Sequence, residues 1–90
     1  MVVKFSRRFE KQYDKTDESI RLAFEKRLKL FFRDQFHPLL YNHPLKGKLL
    51  GYRSISITGD WRAVFSEILD SKEDQIVIFE MIGTHSQLYK

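Results

Sequence analysis

The apolar positions of the chain change their spacing near its middle. From Ile20 to Phe32 they recur at steps of three or four residues with basic side chains between them, which predicts an amphipathic helix that stops before Pro38. The preceding stretch SRRFEKQYDK places Phe9 and Tyr13 four residues apart, and this spacing predicts a shorter helix. The opening residues VVKF are rich in β-branched side chains and predict a short strand.

The second half of the chain has the alternation that is typical of strands. The segments YRSISI, WRAVFSEIL and QIVIFEMIG are separated by short polar turns, so they predict three strands of an antiparallel meander. The preceding segment HPLLYNHPLKGKLLG contains both prolines and two of the four glycines, which predicts a loop with brief turns. The tail THSQLYK is too short for another strand and predicts a turn or a helical turn.

These elements predict one domain over residues 1–90 with the order β-α-α-β-β-β. We expect an α+β fold in which two N-terminal helices pack on one face of a small, twisted, mainly antiparallel sheet. The other face of the sheet would then be partly open and flanked by basic loops. Such a face could hold an extended chain.

The charge of the protein indicates which kind of extended chain this face could bind. The sequence has 16 Lys and Arg against 12 Asp and Glu, a formal charge of +4. Residues 66–80 carry five acids and one lysine, whereas residues 43–62 carry four basic side chains and one acid. A clustered positive field favours a polyanion such as RNA, although a solvated basic surface is the alternative interpretation.

Composition also excludes several classes of protein. The chain has no cysteine, so disulfides and thiolate metal sites are excluded, and a reducing cytoplasm is the expected location. No apolar run is long enough for a membrane span or a signal peptide, so no membrane partner is expected. A zinc site made from His37, His43, His85 and Asp60 would lack a close ligand pair, and we expect neither a metal nor another cofactor.

Side chains suited to catalysis occur at the predicted strand ends. Asp60, Trp61 and Arg62 begin the second strand of the meander, and His85 and Tyr89 follow the third. The turn after the first strand and the end of the third lie at the same edge of a meander, so these groups should be close together. The preceding basic loop supplies His43, Lys46 and Lys48.

Such a set has the parts for metal-free RNA cleavage, in which the 2′-OH attacks the adjacent phosphate. Histidine suits proton transfer because its ordinary pKa is near neutrality, and arginine can hold the phosphate with a charged fork. Aromatic rings can stack on a splayed base, and an aspartate can orient an imidazole. Structural roles are the alternative: Asp60 as a turn residue, Trp61 in the core and Arg62 in a salt bridge.

The segments HPLKGKLLGYRSISITGDWRAVF and IFEMIGTHSQLY resemble the RelE/YafQ-type toxins of bacterial type II toxin–antitoxin pairs. The resemblance covers nearly the whole chain, and its specific parts are an H-x-L-x-G-x-x-x-G-x-R loop, a D-W turn and a terminal G-T-H-S-x-L-[YF]. It implies a RelE-like fold and a ribosome-dependent mRNA interferase that acts in the ribosomal A site. It also implies that a cognate antitoxin neutralises the protein.

The resemblance implies roles for individual residues. His85 would be the general acid, Asp60 or His43 the base or an orienting group, and Arg62 the phosphate clamp. Trp61 and Tyr89 would pack or stack the RNA. We expect the remaining basic groups near the loop to bind phosphates of the message or the ribosome: Lys46, Lys48 and Arg53.

Two positions depart from the YafQ branch. Ser56 stands where that branch usually has a second histidine, and Met81 stands where it usually has an arginine. These differences remove a proton-transfer group and a phosphate clamp. They leave an alternative function open, in which the chain is a catalytically weak or inactive RelE-fold module that binds RNA or the ribosome.

Overall fold

The computed structural model describes residues 1–89 as a five-stranded sheet with three helices. In chain order the elements are β1 (Val2–Phe5), α1 (Arg7–Asp14), α2 (Glu18–Arg33), β2 (His43–Pro44), β3 (Arg53–Thr58), β4 (Trp61–Leu69), β5 (Gln75–Thr84) and α3 (His85–Leu88). Two 3-10 turns, Pro38–Leu40 and Gly47–Leu49, lie in the loop that surrounds β2.

The strands lie in the spatial order β1-β5-β4-β3-β2. Strands β3, β4 and β5 form the predicted antiparallel meander, and the two-residue β2 adds an antiparallel edge beside β3. β1 is parallel to β5, with Phe5 opposite Phe79. The first strand of the chain is therefore hydrogen-bonded to its last strand, and the sheet is mixed but mainly antiparallel, as predicted.

Helices α1 and α2 cover one face of the sheet through an aromatic core. The Phe79 ring on β5 lies within 6 Å of five other phenylalanine rings between their centroids: Phe5, Phe9, Phe24, Phe31 and Phe65. Four of these pairs are tilted or edge-to-face, and Phe5 and Phe79 are stacked with an interplanar angle of 20°. Edge-to-face and offset-stacked arrangements are the ones that aromatic rings favour. This core confirms the predicted α+β layering of two N-terminal helices on a sheet.

Helix α2 stops before Pro38, as predicted, whereas the predicted loop contains a short strand. Helix α2 ends at Arg33, well before Pro38, because Asp34 has an extended backbone and its carboxylate accepts a hydrogen bond from the amide of Phe36. The predicted loop contains β2, whose residue His43 pairs with Ser54. No helix within residues 1–89 is long and apolar enough to cross a membrane.

The tail folds back as the single helical turn α3, in agreement with the prediction of a helical turn. Its start is fixed by a capping box: the Thr84 hydroxyl accepts from the amide of Gln87, and the Gln87 side chain accepts from the amide of Thr84. Gly83 permits this close return, because a β-carbon at that position would lie 2.9 Å from the Gln87 amide oxygen. The fold-back places α3 on the sheet face opposite the two long helices.

Candidate functional site

A groove of about 440 Å³ lies between α3, the start of β4 and the loop around β2. It brings together five residues that the sequence nominated from distant segments: His43, Lys46, Arg62, His85 and Tyr89. The predicted approach of the β3–β4 turn to the end of β5 is thus present, because Trp61 pairs with Thr84 and the amide of His85 donates to the carbonyl of Asp60 at 2.9 Å.

The neighbouring backbone fixes the tautomer of His43. The Nδ1 atom of His43 lies 2.8 Å from the carbonyl oxygen of Tyr41. A carbonyl oxygen can only accept, so Nδ1 must carry the proton and a neutral His43 has its lone pair on Nε2. The ring centroids of Tyr41 and His43 are 4.4 Å apart, which restricts the imidazole further. His43 therefore presents the form that a general base needs.

The guanidinium of Arg62 is held by the turn that precedes β4. Its Nη1 atom donates to the carbonyls of Gly59 and Trp61, each at 2.9 Å. Gly59 has a φ of +49°, a conformation that glycine adopts without strain, so the turn can direct its carbonyl at the guanidinium. The other guanidinium N–H groups make no hydrogen bond within residues 1–89, and they can bind an anion in the groove.

His85 is the first residue of α3, and its ring contacts the ring of Tyr89 one helical turn later. The two ring centroids are 4.7 Å apart with an interplanar angle of 72°, an edge-to-face arrangement. The Tyr89 hydroxyl donates to the hydroxyl of Ser54 on β3 at 2.8 Å. The imidazole of His85 is thus placed by α3 and by a tyrosine that is itself fixed to the sheet.

The groove has an uncompensated positive charge. Among residues 1–89 no aspartate or glutamate lines it, whereas Lys46 and Arg62 do. Within residues 1–89 the only ion pair joins Arg53 to Glu67 at 3.8 Å, so neither groove cation is neutralised by a carboxylate of the described chain. Such a field attracts a phosphate rather than a neutral or cationic ligand.

Asp60 and Trp61 do not line this groove. Asp60 is exposed in the β3–β4 turn, and its hydrogen bond to α3 comes from its backbone carbonyl. Trp61 is half-buried against the core and lines a separate cleft with Gln12 and Lys15. α3 lies between the two clefts, because Gln87 and Leu88 line the Trp61 side and His85 lines the other.

Lys48 and Arg53 also lie outside the groove. Lys48 is exposed on the second 3-10 turn. The Nε atom of Arg53 donates to the side-chain oxygen of Asn42 at 2.8 Å, and its guanidinium carbon lies 5.4 Å from the centroid of the Phe36 ring. With the Glu67 ion pair, these contacts join Arg53 to the loop and to β4. Its predicted role in RNA binding stays a prediction.

Sequence reasoning missed Tyr41 and Ser54. Tyr41 lines the groove, is 64% exposed and has a φ of +46°, which is uncommon outside glycine. Ser54 is fully buried and anchors Tyr89. The position of Tyr41, two residues before His43, was a possible signal, whereas only the structure could reveal a bond between residues 35 apart.

Within residues 1–89 no three His, Asp or Glu side chains approach closely enough to hold a metal ion. Ser56 is the cross-strand partner of Arg62, and Met81 is the partner of Val64. The two departures from the YafQ branch thus occur on the strands that flank β4, on the same face of the sheet as Arg62.

Solved structures with this fold come from several bacteria. YafQ from Escherichia coli strain BL21(DE3) matches with a TM-score of 0.78 and 20% identity over 98% of this chain and 97% of that chain. The YoeB/ParE toxin from Agrobacterium tumefaciens matches with a TM-score of 0.74 and 24% identity over 94% and 99%. The toxin–antitoxin complex RelBE2 from Mycobacterium tuberculosis matches with 0.67 and 20% over 93% and 96%.

These likenesses show a RelE/YafQ-like fold, as the sequence predicted. No curated protein is significantly similar in sequence. The model of one family, described as the ParE toxin of the type II toxin–antitoxin system parDE, matches residues 3–89. Because that match spans almost the whole chain, the protein belongs to this family and is a type II toxin.

Proposed function

We propose that the protein is a ribosome-dependent endoribonuclease that cleaves mRNA by attack of a 2′-OH on the adjacent phosphate. The observation that carries this proposal is the presence of His43, Arg62 and His85 in one positively charged groove. Two imidazoles and a guanidinium are the groups that such a reaction needs. An RNA strand is also the polyanion that the groove's charge favours.

His43 is the proposed base. Its Nε2 lone pair takes the proton of the 2′-OH as the 2′ oxygen forms a bond to phosphorus. The tautomer imposed by the Tyr41 carbonyl favours His43 over Asp60, whose side chain does not line the groove. Asp60 instead supports α3 through its backbone.

His85 is the proposed acid. As the bond between phosphorus and the 5′ oxygen breaks, its imidazolium gives a proton to that oxygen, which leaves as a hydroxyl. The other product ends in a 2′,3′-cyclic phosphate. Arg62 binds the non-bridging oxygens and stabilises the negative charge that develops on them.

Binding of the message would extend beyond the reacting phosphate. Lys46, Tyr41 and Tyr89 line the groove. Lys46 would contact a neighbouring phosphate, and the two tyrosine rings would stack on a nucleotide. The half-buried Trp61 and the exposed Lys48 could contact RNA only outside the groove. The ribosome would supply the codon in the A site and hold it in an extended form.

A cognate antitoxin and a cytoplasmic location complete the proposal. The solved relatives include a DinJ–YafQ complex and a RelBE2 complex, so toxins of this fold are recorded with antitoxins. An acidic or amphipathic segment of an antitoxin would complement the groove's charge. Expression without that antitoxin should arrest growth.

The test is single-turnover cleavage of a defined message on purified ribosomes. His43→Ala, His85→Ala and Arg62→Ala should each slow cleavage by about 100-fold or more. A message whose scissile 5′ oxygen is replaced by sulfur has a leaving group that needs no protonation. It should restore cleavage by His85→Ala but not by His43→Ala.

The matched control is His37→Asn. The Nδ1 atom of His37 accepts from the amide of Leu39 at the start of a 3-10 turn, and asparagine can keep that contact. This variant should cleave at the parent rate. A message with a 2′-deoxy nucleotide at the attacking position should stay intact, and cleavage of that message would contradict the mechanism.

The second candidate is a RelE-fold module that binds RNA or the ribosome with little or no cleavage. Ser56 and Met81 favour it, because they replace polar groups of the YafQ branch on the two strands beside β4. Stalled ribosomes that carry intact message would favour this candidate. Codon-positioned cuts by the parent protein would exclude it.

A further inference from the structure

A buried hydrogen bond joins the C-terminal tail to the sheet. Ser54 is fully buried near the start of β3, and its hydroxyl accepts a hydrogen bond from the Tyr89 hydroxyl at 2.8 Å. Strand β3 is separated from β5 by β4, so the tail crosses a strand to make this bond. Buried hydroxyls are costly without a partner, so the two residues depend on each other.

The helical turn that carries His85 needs such an anchor. α3 has four residues, and an isolated helix of that length is not stable in water. Its N-terminal side is fixed by the capping box and by the bond between the His85 amide and the Asp60 carbonyl. Its C-terminal side is fixed through the Tyr89 hydroxyl.

The anchored residue Tyr89 is in direct contact with the imidazole of His85. The Tyr89 ring meets the His85 ring edge-to-face, with 4.7 Å between centroids, and the Tyr89 amide donates to the His85 carbonyl at 3.0 Å. A tyrosine that is tied to the sheet at its hydroxyl therefore forms a fixed wall for the imidazole. Without the hydrogen bond to Ser54, the side chains of Tyr89 and His85 could both rotate, because the helix that carries them has a single turn.

We propose that Ser54 and Tyr89 form a positioning pair that fixes the imidazole of His85 in the groove. The proposal rests on the function proposed for His85 and adds two residues that act through it. Neither hydroxyl is needed for proton transfer, because each is bonded to the other beneath the groove. Their effect on the reaction is to keep the acid near the leaving oxygen.

The cleanest variants are Tyr89→Phe and Ser54→Ala, each of which removes one hydroxyl. Each should lower the single-turnover rate about tenfold through misplacement of the acid, with the concentration for half-maximal rate within about twofold of the parent. The double variant should be no slower than the slower single variant, because both changes break the same bond. Thermal unfolding measured on all three separates this loss from global unfolding.

A spectroscopic measurement tests the pair without the reaction. The ring of Tyr89 shifts the proton resonances of the His85 ring in an NMR spectrum of the free protein. Both single variants should move those resonances toward the values of a histidine in an unstructured peptide. The resonances of His37, which does not line the groove, serve as an internal reference.

Tyr13→Phe is the matched control, since it also removes one tyrosine hydroxyl. That hydroxyl donates to the Arg21 carbonyl at 3.3 Å between the two long helices. Burial raises the pKa of Tyr13, the Glu25 carboxylate adds to the rise and Arg21 opposes it, so the group stays neutral at assay pH. This variant should leave both the rate and the His85 resonances unchanged.

Two results would overturn the positioning pair: unchanged His85 resonances in both variants, or rate losses that multiply in the double variant. A parent protein that does not cut message would instead overturn the proposed function. The NMR measurement would still decide whether the pair fixes His85, so the two failures can be told apart.

Discussion

At the scale of single residues, the backbone of the loop before β2 fixes the tautomer of His43. Tyr41 has a left-handed conformation, with φ 46° and ψ 49°, and this turns its carbonyl toward Nδ1 of His43. Non-glycine residues in this region carry strain that the surrounding structure must offset, and such strain concentrates at functional sites. The strain at Tyr41 is thus linked to the tautomer of the proposed base.

Two substitutions distinguish the effect of the backbone conformation at Tyr41 from the effect of its ring. Tyr41→Asn and Tyr41→Val both remove the aromatic ring, but only asparagine tolerates a positive φ well. Tyr41→Val should therefore be less stable than Tyr41→Asn by about 1 kcal/mol in the free energy of unfolding, measured with urea. Equal stabilities would show that residue 41 leaves the left-handed region without cost.

The sequence indicated which side chains have suitable chemistry, but it did not indicate which residues form hydrogen bonds with one another. His43, Arg62 and His85 could be nominated because their chemistry is visible in the printed letters. The bond between Tyr89 and Ser54 could not, because an alternating strand pattern shows Ser54 only as a polar residue beside Ile55. Trp61 looked equivalent to Arg62 in the sequence, but adjacent residues of a strand face opposite sides of the sheet.

At the scale of secondary structure elements, the basic residues of the loop around β2 and of the adjoining start of β3 have different environments. Lys46 lines the groove, whereas Arg53 bonds to Asn42 and pairs with Glu67. Sequence alone could not separate them, because both are basic residues beside the same turns. The environment of each side chain depends on the direction in which it points from the backbone. That direction depends on how β2 pairs with β3, which only the structure shows.

Alanine substitutions at these two positions should have different effects. Lys46→Ala should weaken binding to RNA and lower the salt dependence by about 0.7 in the slope of log K against log salt, the value for one contact to a single strand. Arg53→Ala should lower the free energy of unfolding by about 1 kcal/mol, because it removes the contact with Asn42, and no such loss is expected for the exposed Lys46. Binding titrations at several salt concentrations and urea unfolding measure the two effects. An equal change of slope in both variants would give Arg53 a direct contact to phosphate.

The elements themselves were largely predictable. The three strands of the meander, the opening strand and both long helices are present as the apolar spacing indicated. The end of α2 was less predictable, because Pro38 marks only the last position where a helix could stop. The two-residue β2 has no pattern of its own, and it exists through its pairing with β3.

At the scale of the whole molecule, Phe79 joins the layers. It lies on β5 and meets rings from β1, both long helices and β4. A 90-residue domain has a small core, and its total free energy of unfolding is of the order of 5–15 kcal/mol. One central ring can therefore account for a large part of the stability.

Phe79→Ala should lower the free energy of unfolding by about 3–5 kcal/mol, because it removes the ring and leaves a cavity. Phe79→Leu keeps most of the volume and should cost less. Phe36→Ala is the matched control, since that ring is 65% exposed. Urea unfolding followed by tryptophan fluorescence measures all three, and a Phe79→Ala loss as small as that of Phe36→Ala would contradict the central role of this ring.

The parallel pairing of β1 with β5 has a consequence for synthesis of the protein. A nascent chain emerges in order from its N-terminus, so β1 waits without its hydrogen-bonding neighbour until residues 75–84 have been made. Folding of the sheet can be completed only after β5 has been synthesised. An enzyme with the proposed activity would thus be inactive while the ribosome is still adding the residues of β5.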